Sequence, residues 1–290
     1  MAIKKRQKSL ASGRPPVSRP KERMTSERSR TIIRTHHRLQ KEHAAALKQG
    51  DANRAAELAL AIDRNGGIKL YQAASKQGQA RDRGGDSSKV LVEWLQKSQV
   101  LNARARGQKG SALGPLRCLE IGALSTSNEI SNYPSILQMT RIDLNSQEAG
   151  IEKQDFMKRP LPTTIDEHFD IISLSLVLNY VPDAVGRGEM LKRLTKFFRA
   201  RAESDEHHTT PISLLFFVLP LPCVENSRYL DESLLLGIMT NLGFVKRFAK
   251  NTPKLCYYLF EWTGLLTEAK SGKKKIRDAP GMNNFCIVVE

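Results

Sequence analysis

Three carboxylates punctuate the second half of the chain: Glu120 in RCLEIG, Asp143 in MTRID and Asp155 in EKQDFM. Gly122, two residues after Glu120, lets the backbone turn tightly and approach a ligand with no Cβ in the way. Asp143 stands 21 residues beyond that glycine, where a carboxylate accepts two hydrogen bonds from ribose hydroxyls. Asp155 lies twelve residues further on, placed to accept from an adenine amino group while the neighbouring Phe156 covers the ring. A dinucleotide site would share Asp143, but it needs a glycine-rich turn and a helix N-terminus aimed at a pyrophosphate. The turn here, GALSTSN, has one glycine only. An acid just before that glycine suits a cationic ligand, and S-adenosylmethionine, with its sulfonium and amino groups, meets all three requirements. Singly, each residue has an ordinary explanation: a satisfied buried acid, a helix cap, a loop carboxylate beside a core aromatic. Their order and spacing make the case.

Such a site needs a doubly wound sheet, with the ligand outside the carboxyl ends of the strands. After residue 107 the chain alternates apolar runs with helical stretches: RCLEIG, MTRIDL, a weak run near Ile151, FDIISLSLVLN, ISLLFFVLP, CYYLFEW and FCIVVE. The helical patterns GRGEMLKRLTKFFR and DESLLLGIMTNLG separate the fourth from the fifth and the fifth from the sixth, giving a mostly parallel α/β sheet covered on both faces. The last two runs, joined by a charged loop, are expected to close the sheet as an antiparallel pair. Residues 25–106 read as helices: TSER is a cap, Gly50-Asp51 and Gly66-Gly67 are breaks, and Leu91, Trp94 and Leu95 share one face of SSKVLVEWLQK. Residues 1–24 mix basic residues with Pro, Gly and Ser, a composition expected to stay disordered when free. The expected organisation is therefore a tail (1–24), a helical region (25–106) and a ligand-binding domain (107–290).

Composition narrows the classes. The 290 residues are 40% apolar, enough for a real core. No membrane-span-length apolar run and no signal-peptide core appears, so the chain is expected to be soluble, intracellular and away from membranes. Cys118, Cys223, Cys256 and Cys286 show no metal-ligand spacing and read as reduced core thiols; no metal is expected. His36, His37 and His43 in the basic arm, and His207 with His208, read as solvated surface. Net charge is +16, and the first 48 residues carry fourteen Lys and Arg against Glu22, Glu27 and Glu42. That arm suits a polyanion, and its KKRQK run also reads as a nuclear address that an import receptor would bind. Arg228, Tyr229 and the loop KSGKKKIR are either phosphate contacts or a solvated charge run.

The strings LEIGALSTSN, RIDLNS, QDFM, DIISLSLVLNYVPD and LFFVLPLPCVENSRY, with YQAASKQGQ and RGGDSSKVLVEWL before them, closely resemble a fungal family. That family methylates ring nitrogen 1 of an adenine in large-subunit (25S) ribosomal RNA. The resemblance covers roughly residues 65–290 and implies a class I, Rossmann-like, seven-stranded methyltransferase fold with an N-terminal helical extension. It implies S-adenosylmethionine as donor, ribosomal RNA or a pre-ribosomal particle as partner, and work in the nucleolus. Carried over, it gives Glu120 and Gly122 the methionine end of the donor, Asp143 its ribose, and Asp155 and Phe156 its adenine. Asn179, Tyr180 and Pro182 fall beside the reacting base. A metazoan relative resembles the family in this pocket and senses S-adenosylmethionine, so a non-catalytic sensor is the alternative.

Overall fold

Helix boundaries follow local signals. Thr25 caps α1 (Ser26–Lys48) by accepting from Arg28 N at 3.1 Å, and Asp51 caps α2 (Ala52–Arg64) by accepting from Arg54 N at 2.9 Å. The computed structural model describes residues 24–78, 85–101, 114–146, 148–199, 212–267 and 270–290. The basic tail up to residue 23, with His207 and His208, lies outside the described residues.

α1, α2 and α3 (Gly67–Gly78) form one layer, and α1 and α2 close a small core of Leu39, Ala46, Ala55, Leu58 and Ile62. α4 (Ser88–Lys97), the last helix of the expected helical region, buries Leu91, Trp94 and Leu95 on one face of the sheet, against Cys118, Ile171 and Phe216. Its apolar stripe matches the sheet, and that burial decides where it docks.

The sheet has seven strands: β1 (Leu116–Ile121), β2 (Leu137–Asp143), β3 (Glu152–Lys153), β4 (Ile171–Ser175), β5 (Leu214–Pro220), β6 (Phe244–Asn251) and β7 (Leu255–Trp262). Their order is β3-β2-β1-β4-β5-β7-β6; the first five run parallel and β7 is antiparallel to both neighbours. α5 (Ala184–Leu194) and α6 (Glu232–Asn241) cover the face opposite α4, packing with Phe197, Phe198, Phe217 and Phe260. The chain steps outward from β1 through β2 to β3, then returns to place β4 on β1's other side. The carboxyl ends of β1 and β4 therefore flank the switch point where such sheets bind ligands.

Two expectations about the sheet's edge are corrected. FCIVVE makes no strand; Phe285, Cys286, Ile287 and Val289 are buried, and Val288 N bonds to Ala184 O. Only a glycine at position 188 permits that contact, since a Cβ there would sit 1.8 Å from the Val288 carbonyl oxygen. The partner of β7 is instead FVKRFAKN, β6, whose exposed Lys246, Arg247 and Lys250 hide the apolar signal. Charge on a solvated edge strand prevents edge-to-edge pairing. All four cysteines are buried and free.

Candidate active site

β1 ends at a close approach. Gly122 adopts φ +76°, and a Cβ there would lie 2.4 Å from Val177 Cγ2, in the turn after β4. The loop beyond leads to a single 3-10 turn, Glu129–Asn132, rather than an α-helix. The helix N-terminus that a pyrophosphate would need is missing from this turn, which removes the dinucleotide alternative. Thr126 N and Oγ1 both donate to Glu148 Oε1, at 2.9 and 2.6 Å, tying the loop after β1 to the loop after β2.

Glu120 is largely but not fully buried near the end of β1, its carboxyl pushed up to about 7 chiefly by burial. Register sets it opposite Arg141 on β2. Its Oε1 accepts from Asn128 Nδ2 at 2.9 Å, while Oε2 lies 3.3 Å from Arg141 Nε without forming a hydrogen bond. Part of the charge is thus balanced within the fold, yet Oε2 keeps an unmet acceptor that a cationic ligand group can satisfy.

Asp143 ends β2, and its Oδ1 accepts from Asn145 N at 2.8 Å and from Gln72 Nε2 at 2.7 Å. Gln72 comes from α3, is 3% exposed, and also donates to Asn145 O and accepts from Asn145 Nδ2. Burial raises the Asp143 carboxyl above its ordinary value. Nothing local in YQAAS marks Gln72 for this work, and Arg141 was visible only as a charge inside an apolar strand.

Asp155 caps a 3-10 turn, Phe156–Lys158, by accepting from Met157 N at 2.9 Å. Phe156 differs from expectation: its ring is 3% exposed and packs into the core, 5.1 Å from Phe197, with Arg193 over it. It follows the ordinary explanation, a core aromatic, because the turn that exposes Asp155 points its neighbour inward.

Past β4, Leu176 holds φ +58°, a left-handed conformation that costs a non-glycine residue about 1–3 kcal/mol and re-aims the chain. A 3-10 turn, Leu178–Tyr180, follows. Asn179 Oδ1 is buried without a hydrogen-bond partner. The Tyr180 ring lies 4.4 Å from His37 and 4.8 Å from Tyr71, bringing α1 and α3 against the β4 turn. The Pro182 and Val181 carbonyls accept from the buried Arg187, which also donates to Cys286 O.

The histidines correct the surface reading. His36 is 8% exposed and stacks on Tyr71 at 4.8 Å; His37 has a buried Nε2 and an imidazole pushed down to about 4, first by burial and then by His36 and Arg187. A highly charged helix concealed the face that buries Ser29, His36 and Leu39. Arg228 and Arg277 are likewise structural, donating to the carbonyls of Met282 and Ala279, and of Ser227 and Val224 respectively. A groove lined by Val100, Ile212, Arg247 and Phe248 opens by Leu214, the first residue of β5, at the other end of the sheet from these residues.

A seven-stranded sheet with an antiparallel strand between β5 and β6 defines the class I methyltransferase fold, and here it carries acids at the ends of β1 and β2 and just past β3. The chain belongs to the family described as 25S rRNA (adenine(2142)-N(1))-methyltransferase, Bmt2, whose profile matches residues 56–287. The 25S rRNA (adenine(2142)-N(1))-methyltransferase of Saccharomyces cerevisiae is 38% identical over 230 residues, 79% of this chain and 61% of that protein. The 25S rRNA adenine-N(1) methyltransferase of Schizosaccharomyces pombe is 35% identical over 257 residues, 88% of this chain and 89% of its own length. A Burkholderia thailandensis 1,6-didemethyltoxoflavin-N1-methyltransferase, solved with S-adenosylhomocysteine, aligns over 61% of this chain and 86% of its own at 12% identity and a TM-score of 0.39. A likeness of that size adds nothing to the strand order.

Proposed function

We propose that this chain transfers a methyl group from S-adenosylmethionine to ring nitrogen 1 of an unpaired adenine in large-subunit ribosomal RNA. The observation that carries the reading is the placing of Glu120, Asp143 and Asp155 at or just past the carboxyl ends of three adjacent parallel strands, with the Asn179–Tyr180 turn following the fourth. Those residues fit the donor. The open acceptor Glu120 Oε2 suits its amino group, Gly122 gives its methionine end close access to the backbone, and Asp143 Oδ2 takes a ribose hydroxyl. Asp155 takes the adenine amino group, leaving Phe156 to hold the turn from inside the core.

When bound, the donor supplies an electrophilic methyl whose bond pair stays on sulfur. Adenine N1 is unprotonated near neutral pH and carries an in-plane lone pair, so the chain needs no general base. Its residues position the base and tolerate the positive charge that the base acquires. N1 is paired in a duplex, so the target is presented single-stranded or flipped, with Tyr180 beside it and Pro182 stiffening the turn. The basic N-terminal arm supplies phosphate contacts or an address for an import receptor, and the setting is a pre-ribosomal particle in the nucleolus.

The test combines purified protein, labelled S-adenosylmethionine and large-subunit RNA lacking the modification, digested to nucleosides. Wild type is expected to yield 1-methyladenosine and Asp143→Ala none. Donor binding without transfer to either RNA or particle would replace the enzyme with a donor sensor.

A further inference from the structure

Two buried polar atoms that the fold leaves unsatisfied lie on residues next to Tyr180, one in sequence and one in space. Asn179 Oδ1 belongs to the residue just before Tyr180, and His37 Nε2 to an imidazole 4.4 Å from the Tyr180 ring at a 55° tilt. Buried acceptors and donors in folded proteins almost always find partners, so a pair of orphans beside a ligand-binding strand end needs an explanation. Packing does not supply it. Tyr71, 7% exposed, meets both the His37 and the Tyr180 rings and is itself stacked on His36, so a plain aromatic ring would fill the place of His37 equally well.

We infer that His37, on the N-terminal helix α1, is a base-contacting residue: its Nε2 and Asn179 Oδ1 bracket the edge of the target adenine that carries the exocyclic amino group and ring nitrogen 7. The inference rests on the adenine-N1 reading above. Asn179 sits in the turn whose Val177 abuts Gly122, on the donor side, so its oxygen accepts from the amino group next to N1. His37 reaches Tyr180 from α1, and its Nε2–H donates to ring nitrogen 7, further along the same edge. Both contacts leave the N1 lone pair free for the methyl group. Guanine would set its carbonyl oxygen against Asn179 Oδ1, acceptor against acceptor, and be rejected. An imidazole beside a base that turns cationic must stay neutral, and burial first, then His36 and Arg187, keeps it so. His37 precedes residues 56–287, the part matched by the family profile, so the match says nothing of this role.

The test uses the full chain with His37→Phe, which keeps the ring and removes the nitrogens, and His37→Gln, which restores a polar end. Folding is checked by thermal unfolding and donor binding by calorimetry. His37→Phe is expected to unfold no lower than wild type and to bind the donor normally, while kcat/KM for the RNA falls about 10- to 100-fold, equal to about 1.4–2.7 kcal/mol of transition-state stabilisation. His37→Gln should recover part of the loss. An RNA fragment with 7-deazaadenosine at the mapped position should slow wild type by a similar factor and barely change His37→Phe. Full activity of His37→Phe, or equal slowing of both proteins by the 7-deaza substitution, overturns the inference. A wild-type protein that methylates no adenine defeats the underlying reading, and the inference with it.

Discussion

Replacing Gly122 with alanine tests the junction between β1 and the β4 turn. At φ +76° an alanine sits in the left-handed region, which costs an L-residue about 1–2 kcal/mol. Its Cβ would also stand 2.4 Å from Val177 Cγ2, far inside van der Waals contact, so Val177 must move. Val177 is β-branched and stiff, and overpacking of this kind costs about 1–3 kcal/mol. Together these predict a loss of about 2–5 kcal/mol, and at about 2–4 °C per kcal/mol for a chain of this size a midpoint lower by roughly 4–20 °C. Urea unfolding of Gly122→Ala, Val177→Ala and the double variant separates the contributions. Val177→Ala should relieve the clash in the double variant and leave only the backbone cost, giving a coupling above about 1 kcal/mol. Donor affinity should fall in Gly122→Ala and partly return in the double variant. Additive effects within about 0.5 kcal/mol would refute the packing argument.

Gln72→Leu removes one of the two donors to Asp143 Oδ1 and the paired bonds to Asn145, so calorimetry should show the donor binding about tenfold more weakly, about 1.4 kcal/mol, with Asp143→Ala adding little beyond its own effect. Unchanged affinity in Gln72→Leu would mean that α3 merely packs there. On pH, His37 is pushed from 6.5 down to about 4, so the unfolded chain binds a proton that the fold resists, and stability is lost as pH falls from about 6.5 toward 4, by up to about 3 kcal/mol. Glu120, raised from 4.5 to about 7, acts oppositely and gains stability over pH 7 to 4.5, so the His37 share is read as the difference between wild type and His37→Phe in urea unfolding at pH 7.5, 6 and 5. Parallel pH curves for the two proteins would show that His37 titrates normally.

The fold was legible where burial leaves a local trace. β4 and β5 are covered on both faces and read as near-continuous apolar runs, β1 and β2 still show enough apolar residues to be placed, and Thr25, Asp51 and Asp231 announce their helices by capping chemistry. β6 escaped because an edge strand carries charge, and FCIVVE misled because a buried coil segment is as apolar as a strand. The acids of the site were readable for a topological reason: a parallel sheet gathers its strand ends, so Glu120 and Asp143 fall on the same edge of the sheet once the alternation of elements is known. Their partners were not. Gln72 meets Asp143 across 71 residues, and Arg141 meets Glu120 only through strand register.

By itself, then, the sequence determined the class of sheet, the strand-end acids and the single-glycine turn, because periodicity, caps and glycine spacing are properties of neighbouring residues. Only the tertiary structure decided that Phe156 serves the core, that α4 covers the sheet, and that α1 and α3 bring His37, Tyr71 and Gln72 to the strand ends. Such contacts join residues far apart in the chain, and their geometry comes from how helices dock on the sheet, for which no short stretch of sequence carries a signal.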